Sequence, residues 1–258
     1  MQLLDMMDCQ YIPAIYSGNK EKDNKANAEL YLKLVAEGNE KGFCPVLVDK
    51  KMKHYVYAPK YGFTDTKEDY CKITQRLIDL ASYDCFYVWY GRLIYNYYLN
   101  GNRDEEDVKY DLALLNPPND EKYINRFTDD VRIQGFEFCK DEGYMPCDFS
   151  YENHVFVLIP TSLPWEILAW IPMGGFNGCP DELHQIALAK GLYEQFGARI
   201  MYISSASLEY YVPEPLIKRE DIEKAAKILL VADNDVYQEF EVAADKIRGS
   251  HNWFMWWD

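Results

Sequence analysis

The spacing of apolar positions changes from segment to segment along the chain, and those changes predict its elements. Lys20 to Lys25 is polar and charged and reads as a loop. From Ala26 to Gly42 the spacing is helical. Leu30, Leu34 and Glu37 form one row, Ala28, Leu32 and Val35 the row beside it, and Gly42 stands where a C′ residue belongs. Phe43 to Val48 and His54 to Ala58 read as strands. Thr66 suits a helix N-cap, with Glu68 and Asp69 in the first turn and Ile73, Leu77 and Leu80 as the core row.

Ser82 to Leu99 carries eight aromatics within sixteen residues, from Tyr83 to Tyr98. Its rows 86–90–94–98 and 89–93–97 are apolar at helical spacing. Aromatic platforms stack on bases in single-strand binders, but Arg92 alone is basic here and acidic residues 104 to 107 follow at once. A helix buried on most sides is the better reading.

Asn102 to Asp120 is polar and contains prolines, a linker or exposed loop before a short helix at Glu121 to Phe127. His154 to Ile159 and Ile167 to Ile171 read as strands around the Pro160–Pro164 connection. Pro180 to Phe196 is a helix with Cys179 as its N-cap, because proline suits the first helical position. Arg199 to Ser204 and Leu208 to Val212 make a hairpin. Arg219 to Ala232 and Val236 to Arg248 are helices, the second ended by Gly249. Trp253 to Trp257 is a terminal strand with Trp253 and Trp257 on one face and Trp256 on the other, a pattern that suits a central or helix-covered strand.

Strands and helices interleave without regular βαβ alternation. The fold class expected is α+β: a mixed β-sheet flanked by helices, with a helix-rich N-terminal part. The texture changes near residue 150, since sixteen of the 22 tyrosines lie before it. That suggests an N-terminal part over residues 1–150 and a C-terminal domain over 151–258.

Charge and cysteine usage narrow the function classes. The formal net charge is −15, with 19 basic against 26 acidic residues up to position 150 and 8 against 16 after it. No basic half is concealed, which argues against nucleic acid as a partner. The first residues hold Asp5 and Asp8 within their apolar stretch, unlike a signal peptide. The apolar region Val155 to Met173 is interrupted by Glu166 and three prolines and cannot span a membrane. The seven cysteines are odd in number and no two have C-x-x-C spacing, so neither a disulfide framework nor a zinc site is expected. A cytoplasmic location with reduced thiols follows.

Two segments carry a resemblance. Trp165-Glu-Ile-Leu-Ala-Trp-Ile-Pro-Met-Gly-Gly-Phe-Asn-Gly-Cys-Pro180 and Asn252-Trp-Phe-Met-Trp-Trp-Asp258 resemble the bacterial family described as domain of unknown function 4253. Its members have a Gly-Gly-aromatic-Asn-x-Cys-Pro turn before a helix and end on an aromatic-rich Trp-Trp-Asp. The likeness covers roughly residues 150 to 258, with Phe176 where many members have Trp. It implies a fold and a bacterial source, and no activity.

The same turn is where candidate chemistry concentrates. Gly174, Gly175 and Gly178 allow φ > 0, and free N–H groups at a helix start can cradle an anion or favour a thiolate at Cys179. Asp181 and Glu182 in the first turn oppose both. His184 lies five residues on, about 140° around a helix, so a Cys–His nucleophilic pair needs Cys179 to bend back. The candidate ligand-binding set is Trp170, Gly174, Gly175, Asn177, Gly178, Cys179, His184 and Asp258. No phosphate loop, dinucleotide fingerprint, serine-hydrolase elbow or zinc-protease motif accompanies it, so no cofactor and no metal are expected. A tight turn that packs Phe176 and lets strand and helix approach is the plainer reading.

Two functional expectations follow. The first is a protein that acts by binding another protein, as a non-catalytic interaction or immunity-type module. The second is a small-molecule binder or enzyme with its cleft at Gly174–Cys179, taking a small anionic ligand. The sequence keeps both open and implies no oligomeric state.

Overall fold

The structure is a computed structural model describing residues 7, 9–50, 66–81, 115–128, 130–138, 150–174 and 179–257. The segments predicted as a strand at His54 to Ala58 and as an aromatic helix at Ser82 to Leu99 lie outside the described residues.

In chain order the elements begin with β1 (Gln10–Pro13), α1 (Lys20–Lys41), β2 (Cys44–Asp49), α2 (Lys67–Leu80) and α3 (Glu121–Asn125). They continue with β3 (His154–Ile159), α4 (Ile167–Trp170), α5 (Glu182–Phe196), β4 (Arg199–Ile203) and β5 (Ser207–Tyr211). The chain finishes with α6 (Arg219–Ala232), α7 (Asn234–Tyr237), α8 (Phe240–Ile247) and β6 (Asn252–Trp256). No helix among the described residues is long and apolar enough to cross a membrane.

Among the described residues the sheet has six strands in the order β1-β3-β2-β4-β5-β6. β2 and β4 pair in parallel and the other neighbours are antiparallel, so the sheet is mixed and the fold is α+β, as expected. Alternation along β2 splits the core in two. Val46 and Val48 face one layer with Val157, Ile200, Tyr210 and Trp253, covered by α2 and the helices after β3. Leu47 faces the other, with Phe156, Met201 and Tyr202 beneath Tyr31 and Leu34 of α1 and the rings of Phe138 and Tyr151.

Local signals account for much of this. Gly42 takes a left-handed conformation (φ 77°) and closes α1. The side chain of Thr66 accepts from the Asp69 N–H at the start of α2. On α2 the buried row is Tyr70, Thr74 and Leu77, whereas Leu80 is exposed.

Several expectations are corrected. Lys20 to Lys25 is helix, not loop, because Asn19 caps it and accepts the Lys22 N–H. Ile167 to Ile171 forms a helical turn rather than a strand: Pro164 opens a 3-10 turn that runs on into α4. Ile167, Leu168 and Ala169 are all buried, so that segment is apolar on every side and its period is uninformative. The helix expected over Val236 to Arg248 is broken at Gln238, which has φ 53°. β1, four residues without apolar alternation, gave no strand signal. Of the two placements expected for β6, central or helix-covered, the second holds: it is an edge strand packed against α7 and α8, with Trp253 and Trp257 buried on one face and Trp256 half-buried on the other.

Candidate functional site

The Gly174–Cys179 turn leads into α5, and its described residues pack closely. Gly174 has φ +134°, and a Cβ there would lie 2.1 Å from the Pro180 carbonyl oxygen. Only glycine permits that approach. Pro180 does not open the helix. Asp181 is the N-cap in place of the expected Cys179, extended at φ −65° and ψ 167°, and its Oδ1 accepts the His184 N–H at 3.0 Å. Aspartate is among the strongest capping residues and cysteine is not, so the first helical turn begins two residues later than the proline suggests.

Three pairings result. Gly174 meets Pro180. The Cys179 thiol, 6% exposed, accepts from Gln185 Nε2 at 3.2 Å. The His184 ring sits half-buried with Nδ1 2.8 Å from Asp181 Oδ1. Trp170 is brought beside α2 instead: its carbonyl accepts from the Tyr70 hydroxyl, and the two rings pack edge to face at 6.3 Å. Gly175, Asn177, Gly178 and Asp258 lie outside the described residues.

Sequence reasoning missed Gln185 and Tyr210. Both are wholly buried, and Gln185 Oε1 and the Tyr210 hydroxyl have no hydrogen-bond partner among the described residues. Burial raises the Tyr210 phenol above its ordinary range, and the neighbouring Cys179 adds to the effect. Neither residue stands in a recognisable motif; each is a polar group on an apolar face, visible only once the face is known.

An imidazole oriented by a carboxylate is the arrangement of a general base. A thiol sunk beneath a glutamine amide is not open to a substrate. Among the described residues no group of three or more His, Cys, Asp or Glu could hold a metal ion. A groove of about 920 Å³ does exist, but it lies between α1 and residues 136–138, lined by Lys20, Lys22, Leu32 and Phe136 among others.

Residues 155–258 match the model of the family described as Domain of unknown function (DUF4253). Over that segment the chain is similar to the DUF4253 family. The resemblance to that family over roughly residues 150 to 258 is thus borne out. Neither a curated protein nor a solved structure matches the chain. The DUF4253 segment contains the turn, α5 and strands β3 to β6, yet β2, which separates β3 from β4 in the sheet, comes from outside it.

Proposed function

We propose that the protein is a non-catalytic protein-interaction module of the immunity type. The observation that carries this reading is the close packing of the described residues, Gly174 and Cys179 to Pro180, that bound the turn where sequence concentrates candidate chemistry. There the glycine backbone lies against the Pro180 carbonyl and the thiol is covered. The net charge of −15 supports a basic protein as partner. The test is affinity purification of the wild type beside Cys179→Ser and His184→Ala variants, followed by binding measurements with the purified partner. Equal affinity is expected. Loss of binding with either substitution overturns the reading.

The Asp181–His184 contact favours a second reading, a small-molecule binder or enzyme acting on a small anionic ligand beside Cys179. It is decided by alkylation rate against pH for a variant whose sole cysteine is Cys179. The interaction reading expects slow alkylation. A fast rate, half-maximal well below the free-thiol value of about 8.5, would establish the second.

A further inference from the structure

The connection between β1 and α1 is fixed by two buried polar side chains. Asn27, 0% exposed, grips the backbone of Ile15 in both directions. Its Oδ1 accepts the Ile15 N–H at 2.8 Å and its Nδ2 donates to the Ile15 carbonyl at 2.8 Å. Nδ2 also donates to the Asp23 carbonyl at 2.8 Å. Asp23, 2% exposed, accepts the Ser17 N–H at 2.9 Å, the Ser17 hydroxyl at 2.6 Å and the Gly18 N–H at 3.1 Å. Gly18 turns the chain at φ +81°.

Burying a carboxylate and an amide is costly unless their atoms are bonded, and here those bonds go to loop backbone. What they immobilise is apolar and faces water: Ile15 is 43% and Tyr16 50% exposed, and Tyr11 on β1 is 55% exposed. A simple connector gains nothing from holding such a pair outward, since ordering each residue's backbone costs roughly 1–2 kcal/mol.

We infer that Ile15 and Tyr16 are the anchor of a protein-docking surface and that the protein it takes is basic. The inference rests on the interaction reading above. Tyrosine is enriched among the residues that dominate interface energy, and a loop already fixed in place loses little entropy on binding. The charge of −15 repels a second copy and steers a basic partner in.

The contact is made by side chains, not by an added strand. Ala14 donates to the His154 carbonyl, so in the antiparallel β1–β3 pair residues 10, 12 and 14 bond inward and residues 11 and 13 face out. Position 13 is a proline with no N–H, so β1 offers a partner strand the Tyr11 N–H alone.

The experiment places the photocrosslinker p-benzoylphenylalanine at position 16 of the full chain, and separately at positions 124 and 217, where Ile124 and Ile217 are also exposed. The crosslinked protein is purified. Its affinity is then measured by calorimetry for the wild type, Ile15→Asp, Tyr16→Asp and Ile217→Asp, with circular dichroism verifying that each variant is folded. A basic protein captured from position 16 is expected, weakened at least tenfold by Ile15→Asp or Tyr16→Asp, unchanged by Ile217→Asp, and weakened by added salt. Capture from 124 or 217 alone, equal affinity for all variants, an acidic partner or a second copy of this chain overturns the docking inference and leaves the interaction reading standing. No crosslink from any position overturns both.

Discussion

Asp233 Oδ2 accepts the backbone N–H of Trp256 at 2.7 Å, and so the turn between α6 and α7 covers the outer edge of the last strand. Its Oδ1 accepts the N–H groups of Asp235 and Val236 at 3.1 and 3.0 Å. The register explains the geometry. The Trp257 N–H bonds inward to the Ala206 carbonyl, which turns the Trp256 N–H outward. An unpaired edge invites association with other chains, and here a buried carboxylate occupies it. The Trp257 indole adds a second tie, donating to the Ala232 carbonyl at 3.2 Å.

Burial pushes the Asp233 carboxyl up to about 6, and the N–H groups of Val236, Trp256 and Asp235 oppose the rise. With the folded value above the unfolded one, its contribution to stability is full below about pH 3.9 and is lost as pH rises through 6. Thermal unfolding should therefore show the wild type losing more stability between pH 4 and 7 than Asp233→Asn. The rise from about 3.9 to about 6 bounds the difference at about 3 kcal/mol. The variant also sets an amide NH2 against the Trp256 N–H, a cost that does not vary with pH. Parallel curves for the two proteins would remove the burial argument.

Gly174→Ala should be strongly destabilising. The new methyl would lie 2.1 Å from the Pro180 carbonyl at a φ of +134°, and strain and overpacking cost roughly 1–3 kcal/mol each. The measurement is the urea midpoint at constant slope. A midpoint equal to that of the wild type means the turn is looser than described, and the enzyme reading gains.

The Ser17 hydroxyl and the N–H groups of Ser17, Gly18 and Asn19 hold the Asp23 carboxyl below the usual carboxylate range. A depressed value contributes stability above about pH 3.9 that is lost as pH falls through the folded value. Hydrogen-exchange protection at Ser17 and Gly18 should fall on acidification in the wild type. In Asp23→Ala it should already be low at pH 7. Equal protection in both proteins at pH 7 would show that the carboxylate does not fix the loop.

Residues 151–258 expressed alone should not fold cooperatively. Removing β2 leaves β3 and β4 without the strand that lies between them and takes out Val46, Leu47 and Val48, whose wholly buried side chains fill the core on both faces of the sheet. Restoring residues 1–50 in trans should recover structure if the sheet is the cause. A cooperative unfolding transition in the isolated segment would show instead that β3 and β4 can pair without β2.

The sequence by itself determined the elements whose signals are local. Gly42 ends α1, Thr66 starts α2, and the short apolar runs rich in β-branched residues in Cys44–Asp49 and His154–Ile159 mark two strands. The row Ile222, Ala225 and Leu229 marks α6, and the family resemblance of the C-terminal segment was also legible. Caps and periods act within a few residues and leave their pattern in the string. The tertiary structure alone decided that β2 lies between β3 and β4, that Asp181 rather than Cys179 caps α5, and that Asn27 grips Ile15 twelve residues away. It also decided that Gln185 bonds to the Cys179 thiol and that Tyr210 shares one apolar layer with that cysteine. Those outcomes depend on which surfaces meet across the chain, and a contact between residues distant in sequence writes no period into either of them.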